Sequence, residues 1–226
     1  MEFLNTVDIV GIVDEIEQDY TYINKKTNIE EKFFKIMLKV PRLSGNFDVV
    51  PFDATEKMVA GITSGDKIAI TGSLRTRNYI DDNKKTHVKI YGYADDVVPI
   101  DDETYDDVDN KNCVRMTGIV CKPPVYRQTK SGRIITDLTI AVNRQCYRKN
   151  AISKEAKTIR KSYYFPCLTW GPTAKAAKNL QVGDAISFEG RFQSRKFYRK
   201  SDATNQEHIA YEISILDYKN VETENR

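Results

Sequence analysis

Ser162–Tyr198, SYYFPCLTWGPTAKAAKNLQVGDAISFEGRFQSRKFY, decides how the chain is read. Its first nine residues alternate in the manner of a strand, with Tyr163, Phe165 and Cys167 on one parity and Tyr164, Leu168 and Trp170 on the other. Gly171 and Pro172 then open a short helix whose apolar stripe is Ala174, Ala177 and Leu180, because proline costs nothing in a first turn where its missing N–H would go unpaired anyway. VGD turns the chain into a further strand through Ile186, Phe188 and Phe192.

Working outward, Val114, Met116 and Val120, then Ile134, Leu138, Ile140 and Val142, also recur with period two and predict half-buried strands. TKSG, residues 129–132, supplies hairpin chemistry between those first two strands, with Gly132 free to take positive φ. The charged stretch RKSDATNQE leads to a last strand containing Ile209, Tyr211, Ile213 and Ile215. Three strands, a helix and two strands is the order of the five-stranded OB barrel.

The chain contains that unit twice. NTVDIVGIV (5–13) lies on NCVRMTGIV (112–120), FKIMLKVPR (34–42) on TDLTIAVNR (136–144), and GDKIAITG (65–72) on GDAISFEG (183–190), in the same order. The predicted fold is therefore all-β with one short helix per repeat, two tandem OB barrels: residues 1–100, an acidic linker over 101–111, and residues 112–221. In the first copy the strands are expected at Val7–Val13, Phe33–Val40, Val49–Phe52, Ile68–Leu74 and Val88–Tyr93, with a helix near Glu56–Ile62. DDETYDDVDNKN, 101–112, reads as a solvated linker. QCYRKNAISKEAKTIRK, 145–161, has little counterpart in the first copy and reads as an inserted, mobile, cationic loop.

The formal charge of +3 conceals a division. Residues 1–110 carry 13 Lys and Arg against 22 Asp and Glu, and the remainder carries 22 against 10. A polyanion is expected to meet the second half, because neutralising phosphates with Lys and Arg releases condensed counterions. The four cysteines, Cys113, Cys121, Cys146 and Cys167, form no CxxC pair and have no histidine nearby, so packed thiols are expected and no metal site. His87 and His208 sit in no nucleophile or metal motif. No apolar run reaches the ~20 residues of a membrane span and the start lacks a secretory pattern, which predicts a cytoplasmic protein. Neither paired carboxylates for metal ions nor a catalytic lysine motif is present, so no enzymatic activity and no cofactor are expected.

Unpaired nucleic acid exposes two π faces per base and one phosphate per nucleotide, and rings set among cations fit both. The second half interleaves them: Tyr126 with Arg127 and Lys130, Tyr147 with Arg144 and Arg148, Tyr164 and Trp170 after a basic run, and Phe197 and Tyr198 among Arg195, Lys196 and Arg199. Arg115 and Arg191 complete the expected phosphate contacts. Phe165, Phe188 and Phe192 lack cationic flanks and are assigned to the core.

The string YFPCLTWGPTAKAAKNLQVGDAISFEGRFQSRKF, within a pattern running from Asn112 to about Val221, resembles bacterial single-stranded DNA-binding proteins of the OB type. The resemblance implies sequence-tolerant binding of single-stranded DNA during replication, recombination or repair, with base stacking on Tyr147, Tyr164, Trp170 and Phe197. It places Tyr79 of the first copy where Phe197 lies in the second and Thr55 opposite Trp170, so the first barrel is expected to be the weaker platform. It also implies a homodimer presenting four OB folds. The chain ends in NVETENR where such proteins carry an acidic tip that recruits replication or repair proteins, so recruitment by that route is not expected. An OB-fold protein-interaction module of a replication or primosome assembly, with weak nucleic-acid binding, stays open as the alternative.

Overall fold

The computed structural model describes residues 4–24, 28–42, 44–80, 84–129, 131–149, 156–198 and 207–222, and the side chains of all of these but 24, 145–149 and 156–160. The chain forms two compact units, one of Thr6–Val114 with Gly190–Ile213, the other of Met1–Asn5, Arg115–Glu189 and Ser214–Arg226.

In the first unit, β1 (Asn5–Asn24), β2 (Ile29–Pro41), β3 (Phe47–Thr55), β4 (Lys67–Ile80) and β5 (Thr86–Pro99) close on themselves. β1 pairs with β4 through Val7–Ile12 and with β2 from Ile12 onward. β2 pairs with β3, β3 runs parallel to β5 at Phe52 and Asp53, and β5 returns to β4. That cycle is a closed OB barrel. Alternation sends Ile36, Leu38 and Val40 of β2, Ile68, Ile70 and Leu74 of β4, and Ile90 of β5 into its core.

The same cyclic order recurs in the second copy. After a helix, α1 (Asp102–Asp107), come β6 (Asn112–Val120), β7 (Val125–Gln128), β8 (Ile134–Lys149), β9 (Ala156–Trp170), α2 (Gly171–Ala177), β10 (Ala185–Tyr198) and β11 (Glu207–Asn220). The neighbours run β6-β10-β11-β9-β8, with β6 also pairing β8. Leu138, Ile140 and Val142 stand opposite Cys167, Phe165 and Tyr163, and all six are buried.

One glycine in each copy marks where the first strand crosses the second. A Cβ on Gly11 would lie 2.5 Å from the Lys39 carbonyl oxygen, and one on Gly118 would lie 2.7 Å from that of Ala141. The next residues, Ile12 and Ile119, are register partners of Lys39 and Ala141. Each Cβ would also meet a buried core side chain, Leu38 at 2.7 Å and Ile140 at 2.6 Å, so neither barrel closes around a larger residue without shifting a strand or its core.

Several sequence expectations differ from the structure. The segment 56–62 is turns, not a helix. Val59 N–H reaches the Thr55 carbonyl at 3.3 Å, but Gly61 takes φ 80° and ends the turn. The TKSG hairpin joins β7 to β8, with Gly132 at φ 80°, and not β6 to β8. Of the segment 145–161, expected as a mobile loop, residues 145–149 and 156–161 continue β8 and β9 as a paired arm from Gln145 opposite Arg160 to Lys149 opposite Ala156, and 150–155 lie outside the described residues. The linker forms α1, whose N-terminus is capped by Asp101, accepting from Thr104 N–H at 2.8 Å. Tyr105, buried on α1, lies beneath the ammonium groups of Lys67 and Lys111 at 4.4 and 4.8 Å, and Asp102 pairs with Lys67 at 2.9 Å. Ile209, expected to face inward, is exposed, and burial in β11 begins at Ile213.

Gly11→Val and Gly118→Val are each expected to lower the unfolding free energy by about 1–3 kcal/mol, the usual cost of overpacking a closed core. Chemical denaturation of the two variants checks this, and wild-type stability in both would contradict the crossing argument.

Candidate nucleic-acid interface

β9 is a strand with two different faces. Tyr163, Phe165 and Cys167 point into the barrel and are buried, whereas Tyr164 and Trp170 are 51% and 39% exposed on the other side. The parity of the sequence is thus kept, with one exception in degree, since Leu168 on the outward parity is itself buried. Trp170 ends the strand in extended conformation, at φ −122°, and Gly171 follows at φ 54° to start α2. That left-handed glycine turns the backbone at once, which leaves the indole at the rim of the strand.

Register places the neighbours. Ile135 on β8 stands between Arg127 on β7 and Trp170 on β9, so Arg127 shares the outer face with the indole. Its guanidinium is held there by Asp137 in a two-pronged pair at 2.5 and 3.0 Å. Tyr126 falls on the opposite parity, in register with Thr136, whose hydroxyl donates to the Ala174 carbonyl of α2 at 2.8 Å. The Tyr126 ring, 44% exposed, carries Lys178 at 5.4 Å. The structure therefore separates Tyr126 from Tyr164 and Trp170 by the thickness of the sheet. Arg144 is exposed in β8 opposite Lys161. Arg115 is exposed and pairs with Glu189 at 3.4 Å. Tyr147 and Arg148 lie in the β8 arm opposite Thr158 and Lys157, and their side chains, like all of Lys130 and Arg199, fall outside the described residues.

The rings and cations of β10 belong to the first unit. Phe192 is buried against Phe52, while Arg191, Gln193, Arg195 and Phe197 share the other parity. Phe197 is half-buried, with the Arg195 guanidinium 5.6 Å from its centroid and the His208 ring at 5.5 Å. Tyr198 is 61% exposed and its hydroxyl meets Glu207 at 3.3 Å. Lys196 bonds Glu207 at 2.8 Å, which raises the ammonium and lowers the carboxyl from their ordinary pKa values. Arg195 meets Glu212 at 3.3 Å, and Arg191 donates to the Pro41 carbonyl at 3.0 Å. In the first copy Tyr79 is stacked on His87 at 5.3 Å, the counterpart of the Phe197–His208 contact.

Most of the expected phosphate-binding cations thus already hold a carboxylate or carbonyl. Pairs this exposed are worth about 0–1 kcal/mol each, so a phosphate can replace the partner at little cost. The backbone of β10 is fixed more firmly. Asp48, 1% exposed, accepts from Ser194 N–H at 2.7 Å and pairs with Arg42, and the Asn112 amide bridges Phe192 N–H and carbonyl at 2.9 and 2.8 Å. Asp48 and Asn112 were not singled out in the sequence, where nothing distinguishes a buried polar side chain from a surface one. Among the described residues no cluster of His, Cys, Asp and Glu could hold a metal ion. No helix among them is long and apolar enough to cross a membrane.

Comparison with known proteins bears on the family and the fold. The profile of the Single-strand binding protein family matches residues 111–220. A single-stranded DNA-binding protein of Caldanaerobacter subterraneus is 30% identical over 112 residues, covering 49% of this chain and 68% of that one. Single-stranded DNA-binding protein B of Bacillus subtilis is also 30% identical over 112 residues, covering 48% of this chain and 92% of its own length. The crystal structure of the single-stranded DNA-binding protein from Thermus aquaticus superposes with a TM-score of 0.66 at 17% identity, over 100% of this chain and 97% of that one, a likeness of fold. By the extent of these relatives, and with two OB barrels in one polypeptide, the chain belongs to the single-strand binding protein family.

Proposed function

We propose that the protein binds single-stranded DNA with little sequence preference, by electrostatic capture followed by base stacking on Tyr164 and Trp170. The observation that carries this reading is the division of β9, which buries Tyr163 and Phe165 yet leaves Tyr164 and Trp170 in solvent. Exposing two large rings on one strand face has no packing benefit, and stacking a base on each recovers their desolvation. Arg127 beside Trp170 and Arg144 further along β8 are within the same unit and supply cations for the backbone. Phe197 and Tyr198 with Arg195 and Lys196 form a second group of rings and cations within the other unit, and Tyr147, Arg148, Lys130 and Arg199 are assigned to strand binding from the family pattern.

The second barrel, 112–221, is read as the principal binding domain, and the protein as a non-enzymatic, cytoplasmic one that serves replication, recombination or repair. A homodimer with four barrels is the assembly proposed with it.

Trp170→Ala and Tyr164→Ala are each expected to weaken binding of an oligo(dT) by about 1–3 kcal/mol, roughly 5- to 150-fold, without loss of fold, because both side chains stand outside the core. Filter binding or anisotropy at fixed salt checks this, and wild-type affinity in both variants would refute stacking at this face. Light scattering of the free protein is expected to give twice the chain mass, and a monomer at micromolar concentration would refute the dimer.

A further inference from the structure

Past Phe192 no buried side chain holds β10 in place. From Gln193 to Tyr198 none of its side chains is buried, and none is from Glu207 to Glu212 on β11. Register in a strand is set by the face it buries, so a stretch that buries no face can slip, and a slip of one residue carries every side chain to the other side. Phe197 lies in that stretch, half-buried beside Arg195 and His208.

Side chains from outside the two strands supply what packing does not. β10 lies between β6 and β11, and β6 begins at Asn112. The Asn112 side chain accepts from Phe192 N–H at 2.9 Å and donates to its carbonyl at 2.8 Å. Two residues on, Ser194 N–H donates to Asp48 Oδ1 at 2.7 Å and its carbonyl accepts from Arg42 Nη2 at 2.6 Å. Residues whose N–H and carbonyl face one neighbouring strand recur at every second position, so Asn112 and the Asp48–Arg42 pair occupy consecutive rungs along one edge of β10, as a further strand would. The Ser194 hydroxyl accepts from Val49 N–H at 2.9 Å, and Arg191 donates to the Pro41 carbonyl at 3.0 Å. The backbone and hydroxyl of Ser194 thus all end on the junction of β2 and β3.

Asp48 stands where the pattern of β3 calls for an apolar residue. It shares parity with Val50 and Phe52, both fully buried, and is itself 1% exposed. A carboxylate there costs desolvation that an apolar side chain would avoid, and buried ion pairs are often replaced by apolar residues without loss of stability. What an apolar residue cannot do is hold one particular backbone N–H.

We propose that Asp48 and Arg42 are positioning residues for strand binding: they fix the register in which Phe197 leaves β10, so a ring of the second copy depends on two side chains of the first. The inference rests on the reading of Phe197 as a stacking ring, and it assigns Asp48 and Arg42 no contact with the strand.

A double-mutant cycle on the full-length protein tests this, with oligo(dT) affinity at fixed salt as the readout. Phe197→Ala is expected to weaken wild-type binding about tenfold. Asp48→Ala and Arg42→Ala are each expected to weaken it to a similar extent, and in either background adding Phe197→Ala changes affinity by less than about twofold, while Trp170→Ala keeps its full effect. Val50→Ala, which removes a core side chain from the same strand, is the control: it lowers the denaturation midpoint and leaves the cost of Phe197→Ala unchanged. Arg42, a partly exposed side chain, carries the test alone if Asp48→Ala does not fold. An undiminished effect of Phe197→Ala in the Arg42→Ala background overturns the proposal. So does an equal reduction in the Val50→Ala background, since the coupling is then a general loss of stability. A wild type indifferent to Phe197→Ala but weakened by Trp170→Ala also overturns it, because there is then no ring to position. A wild type indifferent to both refutes strand binding by these rings, and the inference with it.

Discussion

A strand in a closed barrel presents successive side chains to opposite sides, and everything the second barrel does depends on how β9 uses that alternation. One face must be apolar, because five strands cannot close around anything but a packed core, and Tyr163, Phe165 and Cys167 meet this requirement. The other face is then unconstrained by folding. Tyr164 and Trp170 occupy it, and their chemistry is available for a ligand. The glycine crossing at Gly118 keeps the arrangement possible, by letting β6 approach β8 closely enough to complete the closure behind β9.

The two barrels repeat this architecture with different outer faces. Where β9 offers Tyr164 and Trp170, the register-equivalent strand β3 carries Asp53 among Lys35, Arg75 and Tyr93. The second barrel has rings turned outward with exposed cations around them. In the first, rings stack on each other, cations cover rings, and a carboxylate lies buried among them. Lys35 is paired with Glu17 and Arg77 with Asp19, so the positive charge of this face is largely met from within. A surface neutralised in that way has less charge free for a phosphate chain.

Much of this was legible in the sequence because burial on one side imposes period two, and period two survives in the letters. The repeat, the strand order, the proline-led start of α2 and the outward parity of Tyr164 and Trp170 all followed from it. The signal fails where a strand has no buried face. EIEQDYTYIN, 15–24, continues β1 as a hairpin arm with mostly exposed residues, and although Tyr20, Thr21, Tyr22 and Ile23 favour strands, no buried period of two marks it. The arm of β8 and β9 beyond Arg144 reads as a loop in the sequence on the same ground. Tyr126 neighbours cations in sequence as Trp170 does, and only the pairing of β7 with β8 shows that it lies on the other face, beside Lys178 of the α2 end. The Asp53–Arg75 juxtaposition joins strands distant in sequence through the parallel β3–β5 pair, a contact that no local pattern encodes. The strand GSLRTRNY, 72–79, did carry a trace of it, since Arg75 and Arg77 alternate with Leu74 in the phase of an outward face.

Trp170 is the sole tryptophan of the chain, so its emission reports on the β9 face without interference. Titration of the intact protein with poly(dT) at low salt is expected to quench that emission strongly, to saturate at a fixed ratio of nucleotides to protein, and to reverse on addition of salt. Emission that stays unchanged while the protein demonstrably binds the polymer would contradict stacking on Trp170, and with it the account of how β9 is used.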